Sequence, residues 1–128
     1  GNQNLYMEQG RSLVQDDFAH EQNLIIKKDN QVVLIAGCAH RGIVNIIEHL
    51  NSFKYGELTH VIGGFHLYNR STERNEDPEI VHQIGQYLKN TGARCFTGHC
   101  TGIEPYKQLK KIMGEKINYV PTGSEFCI

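Results

Sequence analysis

Three histidines lie at equivalent places along the chain. His40 follows the apolar run ending in Gly37-Cys38, His66 follows Val61-Ile-Gly-Gly64, and His99 follows Cys95-Phe-Thr-Gly98. Each run reads as a strand with a helical pattern after it, so the three imidazoles are predicted at the carboxyl ends of successive strands, where separate segments converge on one rim. A neutral imidazole is a good donor to zinc, iron or manganese at pH 7, and a catalytic zinc takes about three protein ligands and a water. The plainer alternative for each is a capped surface group or a hydrogen-bonded core residue; it is their parallel placement that favours a metal rim. Cysteine competes at the same place. Cys38 precedes His40 by two residues and Cys100 follows His99 directly, so either thiolate could bind a soft metal or act as a nucleophile beside a histidine. Strand alternation turns the neighbour of a ligand away, which predicts Cys100 as buried or behind the ligands and leaves Cys38 open.

The other histidines and cysteines read as structural. His20 beside Asp16-Asp17 suits an acidic turn better than a metal cluster, His82 belongs on the polar face of a helix, and His49 and His60 are structural or exposed. Cys95 points into a strand interior and Cys127 lies in the tail; both are expected to be inert. Two turns, His40-Arg41-Gly42 and Cys100-Thr101-Gly102, place backbone N–H groups at helix starts. That geometry can hold a phosphate or carboxylate, with Arg41 adding charge, although glycine more commonly serves only the tight turn.

The elements that must position these residues are legible from hydrophobic period. Asn23 to Lys27 and Gln31 to Ala36 are β-branched runs around Lys28-Asp29-Asn30, a hairpin pattern. After Gly37 the period becomes 3.6, with Ile43, Ile46, Ile47, Leu50 and Phe53 on one stripe of a helix from Gly42 to about Lys54. Thr59 to Gly64 reads as a buried strand and Phe65 to Glu76 as a polar loop. Asp77 caps a helix with Pro78 at its first position and Ile80, Ile84, Tyr87 and Leu88 inside, ended by Gly92. Ala93 to Phe96 is a strand, Glu104-Pro105 opens a helix burying Tyr106, Leu109 and Met113 and stopped by Gly114, and Ile117 to Val120 is the last strand. Strand and helix alternate, which predicts an α/β layered fold: a mixed sheet with helices on one face. Residues 1–16 are a polar lead-in, with Gly1 suited to a tag remnant, and residues 17–128 form the folded unit.

Composition narrows the function. The chain has 128 residues, 13 Lys+Arg against 14 Asp+Glu, and a net charge of −1, which provides no basic field for nucleic acid. Its longest apolar run, Val32 to Gly37, is far short of the roughly 20 residues that span a bilayer. Four cysteines without tight spacing or a secretory signal predict reduced thiols in a cytoplasmic protein.

Four segments carry a specific resemblance: Asp17-Phe-Ala-His-Glu-Gln-Asn-Leu24, Leu34-Ile-Ala-Gly-Cys-Ala-His-Arg-Gly-Ile-Val-Asn45, Val61-Ile-Gly-Gly-Phe-His-Leu67 and Thr97-Gly-His-Cys-Thr-Gly102. Together they resemble the metallo-β-lactamase fold superfamily, and within it the dihydropterin-ribofuranosyl-aminobenzene-phosphate synthase branch, from about Asp16 to the end. The resemblance implies an αββα sandwich with one or two divalent metals, zinc first, at the edge between two sheets, and a metal-activated water attacking a phosphorylated or ester-bearing small molecule, with a pterin-related one suggested by the branch. It implies His40 and His99 as metal ligands, Cys38 at a place where relatives carry a bridging aspartate, and His66 as a third ligand or a proton donor to substrate.

The hallmark His-x-His-x-Asp-His is absent: no two histidines lie two apart and no Asp precedes a His. The chain therefore resembles the C-terminal half of the family, which predicts an inactive fragment of a hydrolase that binds one metal weakly at most, or none. It also predicts an apolar sheet face left open, through which the chain could self-associate. The alternative is a non-catalytic binding or dimerising half-domain. A thiol redox protein using Cys38 or Cys100 is disfavoured, because no Cys-x-x-Cys pair is present.

Overall fold

The computed structural model describes residues 5–128; the Gly1 start read as a tag remnant lies outside them. The first elements depart from expectation. Strands β1 (Tyr6–Gln9) and β2 (Ser12–Gln15) pair antiparallel as a separate hairpin, with Met7 opposite Val14 and Gly10 in the turn at φ +66°. Only those two facing side chains are half-buried within the strands, so no apolar alternation marks the hairpin in the sequence.

The main sheet starts with β3 (Asn23–Lys28) and β4 (Gln31–Ala36), an antiparallel pair with the turn at Asp29, whose φ of +52° is a left-handed conformation that Asp tolerates. From β4 onward the chain makes three parallel crossovers. Helix α1 (Ile43–Ser52) leads to β5 (His60–Gly63). A small hairpin of β6 (Tyr68–Asn69) and β7 (Arg74–Asn75), then α2 (Pro78–Thr91), lead to β8 (Arg94–Thr97). A 3₁₀ turn (His99–Thr101), α3 (Ile103–Met113) and a second 3₁₀ turn (Gly114–Lys116) lead to β9 (Ile117–Tyr119). The sheet order is β3-β4-β5-β8-β9. Each crossover steps in the same direction, and crossovers of one hand that never reverse put every helix on the same face.

That face holds the core. Register aligns Leu34 with Val61, Val61 with Cys95 and Cys95 with Ile117. All four pack under Ile43, Ile47 and Leu50 of α1, Val81 and Leu88 of α2, and Leu109 and Met113 of α3. Asp77 caps α2 by accepting the Glu79 N–H at 2.7 Å, with Pro78 first in the helix and Gly92 left-handed at its end. The Tyr87 hydroxyl donates to the Glu48 carboxylate and so ties α2 to α1; burial, then the Glu48 hydrogen bond, push Tyr87 up to about 12. Two side chains assigned to buried stripes lie outside. Phe53 is 52% exposed because α1 ends at Ser52, and Ile80 is 44% exposed because the buried stripe of α2 runs through Val81, Gly85 and Leu88. Within the expected polar loop, Phe65 and Leu67 are buried and β6 pairs with β7.

The opposite face carries Leu24, Ile26, Val33, Ile35, His60, Ile62, Arg94 and Phe96, by the same register. Phe126 from the tail stacks on Phe96 with centroids 4.3 Å apart, and the Arg94 guanidinium lies 5.6 Å from the Phe96 ring centre. Toward β3 the face is open, with Leu24 57% and Ile26 44% exposed. One five-stranded sheet thus carries one helical layer among the described residues, beside the two small hairpins. Among the described residues, no helix is long and apolar enough to cross a membrane.

Candidate metal centre

The carboxyl ends of β4, β5 and β8 lie side by side, and the turn after each contains a residue other than glycine in the left-handed region: Ala39 at φ +51°, His66 at +48° and His99 at +50°. Such conformations are costly for residues with a Cβ and persist where the surroundings enforce them. The enforcing contacts are visible. The Gly64 N–H donates to the Gly37 carbonyl at 2.8 Å. The Thr97 hydroxyl donates to the Gly63 carbonyl at 2.8 Å and pairs with the Thr101 hydroxyl at 2.5 Å, and Thr101 accepts the Phe65 N–H at 2.9 Å. Gly63 and Gly64 make this closeness possible. A Cβ on Gly63, at φ +153°, would sit 2.4 Å from the Ala36 carbonyl oxygen, and one on Gly64 would sit 2.5 Å from the Cys100 sulfur.

Two groups of side chains occupy the rim. The Cys38 sulfur, a ring nitrogen of His99 and the Cys100 sulfur all lie within 4.8 Å of one another. Cys38 and Cys100 are half-buried and His99 is exposed. The Cys100 thiol reaches the Cys38 carbonyl oxygen at 3.6 Å. Beside this group, the His40 and His66 rings meet edge to face with centroids 4.5 Å apart, and Phe18 lies 5.1 Å from His40. Both ring nitrogens of His66 are buried without a hydrogen-bond partner among the described residues. Burial, then the charge of His40, lower the His66 pKa below its ordinary value of 6.5, so the ring is neutral at pH 7 with a lone pair to offer. Burial pushes the Cys100 thiol up to about 12, so it becomes a thiolate only with a cation beside it. The residues present therefore fit a metal: a neutral imidazole whose ring nitrogens have no partner among the described residues, further histidines, and two thiols at the ends of β4 and β8, the strands on either side of β5.

Sequence reasoning brought Cys38, His40, His66 and His99 to this rim and left Cys100 out. Strand alternation does not apply to Cys100, because residues 99–101 form a 3₁₀ turn in which successive side chains step by about a third of a revolution. The glycines bracketing His99-Cys100-Thr101 were the available signal that the strand had ended.

The two turns considered as anion sites are differently used. At His40-Arg41-Gly42, the Glu21 carboxylate accepts the His40 N–H at 2.6 Å and the Arg41 N–H at 3.0 Å, while the Gly42 N–H donates to Ala39. An anion of the chain itself holds that position. At Thr101-Gly102, Thr101 is fully buried with its hydroxyl engaged, and a Cβ on Gly102 would meet Tyr68 at 2.6 Å. Asp16 and Asp17 accept the N–H groups of Phe18 and Ala19, so the acidic segment beside His20 is a turn. Of the remaining histidines, His60 is buried with Nδ1 3.0 Å from the Thr59 hydroxyl, and His49 and His82 are exposed. Cys95 is buried and Cys127 exposed.

No family model matches the chain. Over 120 residues, 91% of its length, it is 35% identical to the 7,8-dihydropterin-6-methyl-4-(beta-D-ribofuranosyl)-aminobenzene-5'-phosphate synthase of Methanocaldococcus jannaschii, and covers 38% of that protein. It is 31% identical over 99 residues to an uncharacterized protein of the same organism, covering 77% of this chain and 34% of the relative. The chain thus spans well under half the length of these curated relatives. Among solved structures, Tm1679, described as a metal-dependent hydrolase of the beta-lactamase superfamily, superposes with a TM-score of 0.82 at 26% identity, over 96% of this chain and 46% of that one.

Proposed function

Because the chain belongs to the metallo-β-lactamase superfamily, we propose that it is the C-terminal half of a metal-dependent hydrolase domain whose metal rim includes His40, His66 and His99, with Cys38 beside them. The observation that carries this reading is His66: two buried ring nitrogens without partners among the described residues, held in a left-handed turn against His40 at the ends of parallel strands. A cation supplies the missing partner. Zinc suits the donor set, and when bound such a metal supplies a Lewis acid and a water acidified toward pH 7.

The chain's own residues orient and bind. Glu21 fixes the backbone of His40, and the Thr97–Thr101 pair fixes the turn after β5 to that after β8. Neutral His66 has one N–H to give and one lone pair to offer. A recess of about 110 Å³ beside it is lined by Asn69, Thr72, Arg74 and Asn75 and by the Glu76 carboxylate; the first four offer donors to the phosphate or ester oxygens of a small molecule, and Glu76 an acceptor to its N–H or O–H groups. The name of the methanogen relative supports a phosphorylated, pterin-related substrate. Without a His-x-His-x-Asp-His segment the rim is incomplete, so the isolated chain is expected to bind metal without turning over substrate.

The test is metal content and phosphodiesterase activity of this chain, alone and joined to an upstream half carrying that motif. Bound metal without turnover in the chain, and turnover in the longer protein, is the expected result. Absence of metal from both, or loss of neither metal nor activity in His66→Ala of the longer protein, would overturn the reading. The exposed Leu24 and Ile26 favour a second reading, a half-domain that self-associates through its open sheet face.

A further inference from the structure

We propose that Cys38, His99 and Cys100 form a soft-metal site, in which Cys100 is a ligand and the preferred occupant is a thiophilic divalent cation such as Zn²⁺ or Cd²⁺. The inference rests on the metal-rim reading only in sharing Cys38 and His99; the added claim is that two thiolates, and not a histidine set alone, hold the ion.

Three observations carry it. The two sulfurs and the imidazole nitrogen are mutually within 4.8 Å, the separation of donors that can reach a common centre at the roughly 2.3 Å and 2.0–2.1 Å of Zn–S and Zn–N bonds with small rotamer adjustments. The space for the Cys100 sulfur is made by Gly64, where any Cβ would lie 2.5 Å from it. The backbone on either side is fixed: Thr101 and Gly64 are tied into the hydrogen bonds of the rim, and His99 is held at φ +50°. The group therefore needs little reorganisation to bind.

Donor chemistry selects the ion. Thiolate sulfur favours zinc and cadmium over magnesium, calcium and manganese, which favour carboxylate and water oxygen. Two thiolates neutralise a divalent charge, and binding releases the two thiol protons to solvent. A neutral His99 fills a third position, and the exposure of that side chain leaves the fourth open to solvent, to His40 or His66, or to a group from elsewhere in a longer protein.

The experiment is titration of the reduced, metal-free chain with Co²⁺ and Cd²⁺ under anaerobic conditions, read by the sulfur-to-metal charge-transfer band in the near ultraviolet. A band saturating at one equivalent is expected. Cys38→Ser and Cys100→Ser should each remove most of it and weaken Cd²⁺ binding at least tenfold, whereas His82→Ala, on the exposed side of α2, should keep it. Circular dichroism of each metal-free variant checks folding, and the cadmium NMR shift of the unsubstituted chain counts bound sulfurs independently of any substitution. Metal bound with no sulfur band, a band unchanged in Cys100→Ser, or a Cys38–Cys100 disulfide that persists under reductant would overturn the proposal while leaving the histidine rim standing. No metal bound in any form would overturn both.

Discussion

At the scale of single residues, His66 combines an unfavourable backbone conformation with two buried ring nitrogens that have no partner among the described residues. Its lowered pKa has a consequence for stability. Between the depressed folded value and the ordinary value near 6.5, the unfolded chain binds the proton that the folded chain refuses, so stability rises with pH across that interval. The contribution is fully present above about 6.5 and is lost as pH falls through the folded value; His60, lowered by burial and then by Arg94, acts in the same sense. Metal-free protein is expected to melt at lower temperature as pH falls below about 6.5, with a shallower slope in His66→Asn. Melting curves followed by circular dichroism across that range check it, and an equal slope in the variant would show that His66 is not the titrating group. Sequence alone placed His40, His66 and His99 together because a strand followed by a helix leaves only one end where such residues can sit. It could not place Cys100, whose direction depends on where β8 stops and a 3₁₀ turn takes over.

At the scale of elements, the glycine pair after β5 sets how closely the rim loops approach. Gly63→Ala meets the Ala36 carbonyl at 2.4 Å and an unfavourable φ at once, so the strand ends must separate. Overpacking of this kind costs about 1–3 kcal/mol, and the expected outcome is a lower denaturation midpoint together with weaker metal binding. Chemical denaturation beside a metal titration measures both; unchanged metal affinity in a folded variant would show that the rim does not depend on this approach. Helix α2 offers a second, independent case. Asp77→Ala removes an N-cap bond, worth about 0.5–2 kcal/mol, without touching the rim, so stability should fall while metal affinity holds; a parallel fall in affinity would mean that the two are coupled through α2. The cap, Pro78 and Gly92 were readable because each acts locally. Phe53 and Ile80 were not, because a periodic stripe does not specify which of its edge members the neighbouring layer covers.

At the scale of the whole molecule, one face of the sheet is covered by three helices, while the other is buried at Val33, His60 and Phe96, on which Phe126 stacks, and exposed at Leu24 and Ile26. Leu24 and Ile26 on β3 form the exposed apolar part of that face, followed in sequence by Lys27 and Lys28, whose charge discourages edge pairing. If the chain self-associates in isolation, this is the expected surface. Ile26→Lys should then shift the sedimentation profile toward monomer with a stability change within about 0.5 kcal/mol, since the side chain is already exposed. An unchanged oligomer distribution would place self-association elsewhere.

The sequence by itself determined the alternation of strands and helices, the capping of α2, the inward stripes and the three histidines at strand ends, because each follows from local periodicity or from the direction of a parallel strand. The missing histidine motif was equally plain in it. Only the tertiary structure decided that β1 and β2 form a hairpin, that Glu21 occupies the amides before α1, that Thr101 is a buried tie, and that Cys100 joins Cys38 and His99. The hairpin is local but carries no apolar alternation to reveal it; the other three depend on contacts between segments far apart in the chain, with Gly64 setting the space for the Cys100 sulfur, and no local pattern encodes such a distance.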